Sequence, residues 1–395
     1  MDPIVSEWLG LVVRWVHVIS GIAWVGASFY FNWLLNHLRA PATTDHHALG
    51  ELWAIHAGGF FHVQKRTIAP GALPAPLHWF KWEAYWTWIS GFVLLVLVYY
   101  LGAEVYLIDR QVADIGVGIA VTIGIGTLAL GWLVYDLLWR SPLAERPRLA
   151  GAVSFALVVA LAWGLDQVFS GRGAYMHVGA LLGTLMAGNV FRIIMPAQRE
   201  LVAATREGRE QDRRLAAFAE QRSLHNNYMT LPVLFVMISN HYPSTYSHEL
   251  NWVVLAVLFA AGTAVRHYFN VRHRRGNWRS AWLLGAPAVA VAALAYVTAP
   301  APRGAGSEPV AFEAVQSIIE ARCVSCHSAH PTSELVLSPP KGVTFDTPEQ
   351  IRAQAVQIQA QAIASTAMPP GNLTGMADAE RQLLARWIAQ GAPLE

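Results

Sequence analysis

Before residue 300 the chain is a succession of apolar runs, each followed by a polar loop. The runs at 8–35, 84–101, 114–138, 149–169, 174–194, 229–242, 250–269 and 281–298 are suited to crossing the hydrocarbon layer, which is ~30 Å thick. In that medium every peptide group must find its partner within the protein, which favours helices. An all-α, eight-span transmembrane bundle is therefore expected over 1–298. The sixth run is short and carries Pro232, so it begins deeper or is broken. Trp79, Trp82, Trp86, Trp88, Trp139, Trp252, Trp278 and Trp282 gather near run ends, as an interfacial belt does. Residues Met1 to Glu7 carry acids and no base, and the apolar stretch after them is long, so the first span is expected to be retained rather than cleaved.

The basic residues are sorted by side. Alternate loops hold Arg39, Lys65, Arg66 and Lys81, then Arg140, Arg146 and Arg148, then the arginines from Arg192 to Arg222, then those from Arg266 to Arg279. The opposite loops hold only Arg110 and Arg172. The positive-inside rule places both termini outside the cytoplasm. The net charge of +2 conceals this asymmetry, and no basic patch of the kind that binds nucleic acid remains.

The C-terminal part is a different material. Residues 299–309 read as a Pro-, Gly- and Ala-rich linker, and 310–395 as a small helical domain with few aromatics. From residue 303 onward it has 6 basic and 9 acidic side chains. It contains the only two cysteines, in Cys323-Val-Ser-Cys326-His327. Thiols three apart with an imidazole directly after suit covalent haem attachment, with His327 reaching the iron. A structural zinc site needs about four ligands, and a second pair is lacking. Met368, in Ala-Met-Pro-Pro-Gly, is the expected second iron ligand, because a thioether on the far face raises the potential. A helix is expected from Phe312 to Arg322. A second opens at Thr347-Pro348-Glu349-Gln350 with a capping box, and a third runs from Asp378 to Gln390. The pattern resembles a class I cytochrome c. Haem c is attached outside the bacterial inner membrane, which agrees with a periplasmic C-terminus.

Polar groups inside spans are costly and functional by default. They form two layers. The outer layer has His17 and His177, which clamp a haem b, bind copper or another metal, or hydrogen-bond neighbouring helices. The inner layer has His56, His78, Lys81 and Glu83, then Asn189 and Arg192, then His225, Asn226 and Asn227. Amides, imidazoles and a guanidinium at one depth suit a flat, polar, anionic ring. His225 and Glu83 are the candidate bases, and Arg192 the candidate anion fork.

The stretches Leu52-Trp-Ala-Ile-His-Ala-Gly-Gly-Phe60, His78-Trp-Phe-Lys-Trp-Glu-Ala-Tyr-Trp-Thr-Trp88, Gly188-Asn-Val-Phe-Arg192 and Arg222-Ser-Leu-His-Asn-Asn-Tyr228 resemble the bacterial membrane-bound urate oxidases, also called urate hydroxylases. These fuse an eight-span domain to a C-terminal cytochrome c. The resemblance implies oxidation of urate to 5-hydroxyisourate. Electrons would leave through haem c to a downstream cytochrome or oxidase rather than forming hydrogen peroxide. A shorter echo, His17 with Trp24, is similar to small membrane proteins that bind haem b. Two other classes compete: a quinol-linked electron-transfer module without purine chemistry, and a metal or haem transporter using the span histidines as a pathway.

Overall fold

Sequence periodicity and caps translate directly into helices in the computed structural model, which describes residues 3–42, 46–68, 72–210, 212–275, 280–298 and 308–394. The principal helices are α1 (Pro3–His37), α2 (Trp82–Leu94), α4 (Val117–Leu138), α5 (Pro147–Asp166), α6 (Gly171–Asn189), α8 (Arg213–Ser239), α10 (Asn251–Arg275) and α11 (Trp282–Val297). Between them lie α3 (Ala103–Tyr106), α7 (Met195–Glu207) and α9 (Pro243–Tyr246). Ser170 caps α6 through the Gly173 amide at 3.0 Å, and Asp212 caps α8 through the Arg214 amide at 2.8 Å. Among the described residues, 6 helices are long and apolar enough to cross a bilayer. The α8 helix is not among them, because its first half is polar and Pro232 sits inside the second. The shorter α11 is apolar throughout but only 16 residues long.

Two departures from an all-α expectation stand out. The first polar loop folds into an antiparallel hairpin, β1 (Ala48–His56) and β2 (Gly59–Arg66), with Ala57 and Gly58 at positive φ in its turn. Leu49, Glu51, Trp53 and Ile55 share one face of β1 and Gly50, Leu52, Ala54 and His56 the other, so neither face is purely apolar or polar. The other departure is π-helical widening, at Leu95–Tyr100 after α2 and at Val190–Ile194 between α6 and α7. Such widenings frequently mark functional positions.

The middle of the bundle is α6. It packs against α2, α4, α5 and α8, and its small residues let those neighbours approach. Leu107, Phe169, Tyr175, Val178, Leu182 and Leu255 are almost wholly buried around it. By contrast α1 presents Trp8, Trp15, Ile19 and Ile22 outward, a surface that suits lipid rather than water. The bundle has a basic end, carrying Lys81, Arg140, Arg192 and Arg222, and a far end, carrying α3 and α9.

The C-terminal domain contains α12 (Phe312–Arg322), α13 (Pro348–Ala353), α14 (Ala355–Ile358) and α15 (Asp378–Ala389). The capping box at Thr347 and Gln350 is present, with Pro348 in the first turn. Trp387, Leu384, Ile319 and Val315 are fully buried, and Met376, which reads as part of a polar stretch, joins them with 1% exposure. Of the expected linker, 299–307 lie outside the described residues.

Candidate functional site

At the basic end, three neighbouring helices each contribute polar side chains that meet in a buried chain of hydrogen bonds. Asn226 of α8 donates Nδ2–H to the main-chain carbonyl of Met186, 3.0 Å away. That contact fixes the amide orientation, so Asn226 Oδ1 is an acceptor, and Asn189 donates to it over 2.9 Å. Asn189 also donates to the Tyr135 hydroxyl at 3.0 Å. The hydroxyl also meets Nδ1 of His225, 2.8 Å away. The His225 ring lies 4.0 Å from that of Trp139. Beside this chain, Arg222 is fully buried and pairs with Asp136 at 2.9 Å, and Asp136 also receives Arg140 at 2.7 Å. The Arg222 guanidinium lies over the Tyr135 and Phe218 rings, 4.7 Å from each.

A second cluster lies alongside. Asn227 Oδ1 accepts from Arg266 at 3.0 Å and from Asn270 at 2.9 Å, and Tyr228 contacts Nδ1 of His267 at 2.7 Å. Across both clusters several buried polar atoms have no hydrogen-bond partner: Arg222 Nε and Nη1, Asn227 Nδ2, Asn189 Oδ1 and Asn270 Oδ1. Buried polar groups are normally satisfied. On the other side of Asp136 an open cleft of about 540 Å³ is lined by Trp132, Asp136, Arg140, Phe191, Arg192 and Arg199.

A model of the urate oxidase N-terminal family matches residues 3–299. The chain belongs to that family. No curated protein and no solved structure matched it. The match covers the helical bundle and ends at the expected linker, so membership in the urate oxidase family rests on the part of the chain that carries the buried polar chain.

Within this urate oxidase domain the sequence-predicted residues divide. Asn189, His225 and Asn226 are joined in one network, and Asn227 anchors the neighbouring one. Glu83 has a buried Oε2 without a partner, but no hydrogen bond links it to the His225 chain. Arg192 is exposed at the cleft mouth, 5.9 Å from the Trp132 ring. His56 closes the hairpin and is exposed, His78 packs edge-on to Phe80 at 4.6 Å, and Lys81 lies over Trp82 at 5.1 Å, so these three stand apart from the buried network. Sequence reasoning missed Tyr135 and Asp136, and read Trp139 only as part of an interfacial belt. Their signal was an acid inside an apolar run, which is expensive enough to need a purpose.

His17 and His177 take different stations along α2 and its continuation. His17 Nδ1 is 3.0 Å from the Thr87 carbonyl and 3.1 Å from Ser90 Oγ, and its ring lies against Gly91. His177 Nδ1 is 2.8 Å from the Gly173 carbonyl, and Nε2 faces Gly124 and the Tyr100 hydroxyl. In both, Nδ1 lies beside a main-chain oxygen, and Nε2 of the fully buried His177 is met by the Tyr100 hydroxyl at 3.3 Å. A Cβ on either glycine would collide with the imidazole.

In the C-terminal domain Cys323, Val324 and Met368 border the same apolar core, and the two thiols are free. His327 contacts the Val343 carbonyl through Nδ1 at 3.0 Å, which leaves Nε2 for a metal. Burial pushes the Cys323 thiol up to about 12, with the Arg381 charge pulling it back. Arg381 donates to the Met368 carbonyl at 2.9 Å and pins that loop. These donors fit a covalently held haem c.

Proposed function

We propose that this protein is a membrane-bound urate oxidase that converts urate to 5-hydroxyisourate and passes the electrons through haem c to the respiratory chain. The observation that carries the reading is the buried Asn226–Asn189–Tyr135–His225 chain, with its unpaired neighbours, inside a urate oxidase family domain.

Urate is a flat anion with carbonyl acceptors and N–H donors. The exposed Arg192, Arg199 and Arg140 would draw it to the cleft, where Trp132 and Phe191 offer stacking faces. The unpaired Nε and Nη1 of Arg222 are separate donors for its oxygens, and Asn189 Oδ1 is an acceptor for an N–H. Urate plus water gives 5-hydroxyisourate, two protons and two electrons, so a group must take the proton of the attacking water. In the tautomer protonated on Nε2, the basic nitrogen of His225 is Nδ1, which faces Tyr135. A proton would reach it through Tyr135, whose hydroxyl gives up one proton as it takes another. Glu83 is the alternative acceptor.

Haem c, when bound, supplies a one-electron acceptor. Cys323 and Cys326 would hold it covalently, His327 and Met368 would ligate its iron, and His17 and His177 are the ligands offered to a haem b. We place the basic end in the cytoplasm of a bacterial inner membrane and the C-terminal domain in the periplasm. The test is anaerobic addition of urate to the purified protein: a rise of the ferrous c-type band supports the reading, and a haem c that dithionite reduces but urate does not would overturn it. A pyridine haemochrome of the protein and its His17→Ala and His177→Ala variants decides haem b, which requires a b-type signal that either variant loses.

A further inference from the structure

The loop that carries Met368 does not stand free of the bundle. Pro370–Asn372 packs directly on α3 at the far end. Gly371 has φ +55°, and a Cβ there would lie 2.9 Å from the Glu104 carbonyl, 3.1 Å from that of Val105 and 3.2 Å from that of Ile108. Only glycine fits both the left-handed backbone and the approach to three carbonyls. On one side of this contact Arg381 grips the Met368 carbonyl, and it interacts electrostatically with Asp109, just beyond α3, on the other. Directly beneath α3 lies an aromatic cluster. The Tyr106 ring is 6.3 Å from that of Tyr99, which is 6.4 Å from His177, and Tyr100 is 5.8 Å from His177.

We infer that α3 is the docking platform for the Met368 loop, that Gly371 is the positioning residue that allows the two to close, and that the Tyr100–His177–Tyr99–Tyr106 cluster leads electrons to this junction. The inference rests on the proposed electron flow. It adds the place where the two domains meet and the residue on which the meeting depends. A packed path from His177 to the loop three residues from Met368 replaces a search by a tethered domain with a fixed contact, in which a small misplacement is expensive.

The experiment compares full-length, haem-loaded protein with Gly371→Ala, Gly375→Ala and Asp109→Asn. Gly375 also has positive φ, at +66°, but a Cβ there would meet only Arg322 at 3.9 Å, so its variant controls for backbone strain alone. Benzoylphenylalanine in place of Leu373 reports docking by photocrosslinking, independently of urate. In the parent and Gly375→Ala it is expected to link to the segment from Gly102 to Ala113. In Gly371→Ala that link is expected to vanish, the ferrous spectrum after dithionite to stay unchanged, and the rate of haem c reduction by urate to fall about tenfold or more. In Asp109→Asn the link is expected to weaken. Gly371→Ala protein that keeps both the crosslink and the parental rate overturns the inference, as does a parent that gives no crosslink to α3. If urate reduces no variant while the crosslinks follow the expected pattern, docking stands and the substrate reading falls.

Discussion

Tyr135 Oη sits 2.8 Å from His225 Nδ1 and accepts a hydrogen bond from Asn189 at 3.0 Å. In the proposed function the imidazole receives its proton through this phenol. In Tyr135→Phe the relay is cut and the ring remains. Turnover of urate is expected to fall by ~10²-fold, with KM nearly unchanged and the haem c spectrum intact. A change confined to KM would assign Tyr135 to binding and remove it from proton transfer.

Asp136 neutralises Arg222, which has no exposure to solvent. Asp136→Asn leaves a buried guanidinium without its counter-charge, and breaking such a pair costs ~3–5 kcal/mol. Thermal unfolding of the purified variant in detergent is expected at a clearly lower temperature. An unshifted transition would mean that the cation is solvated through the neighbouring cleft.

The C-terminal domain has its own pH dependence. Burial raises the Glu380 carboxyl, but the Arg322 fork at 3.0 Å and the Ala377 amide outweigh it and hold the group below the ordinary carboxylate range. The folded carboxyl is the stronger acid, so the pair stabilises the domain fully above the unfolded pKa and loses that contribution as pH falls through the folded one. Glu380→Gln is expected to be less stable at neutral pH, with the gap to the parent closing on acidification. Unfolding curves at several pH values, followed by the haem band, check this, and a gap that is constant with pH refutes it.

Met368→Leu keeps Cys323, Cys326 and His327, so covalent haem is expected to survive. Met368 being the proposed iron ligand, loss of its thioether is expected to lower the reduction potential. A spectroelectrochemical titration measures it, and an unchanged potential would reassign the sixth ligand.

Much of the fold was legible because apolar length and caps are local properties. Phe312–Arg322 appears as a helix at its expected bounds, and the Thr347–Gln350 box is in place. The hairpin at Ala48–Arg66 was not, since both faces of its strands mix apolar and polar residues and no period-2 alternation marks them. At the site, Asn189, His225 and Asn226 were recognisable as polar residues at one depth, but which of them touch depends on how α4, α6 and α8 cross. Tyr135 was hidden for the same reason. One tyrosine in an apolar run looks like packing until a neighbouring helix brings an imidazole to its hydroxyl.

The Met186 carbonyl to which Asn226 donates belongs to a helix backbone and cannot turn over as a side-chain amide can. Every dipole downstream of it, out to the imidazole, inherits that immobility. An arriving heterocycle thus meets a field already aligned, and little solvent-like reorganisation is left to oppose the movement of charge during oxidation.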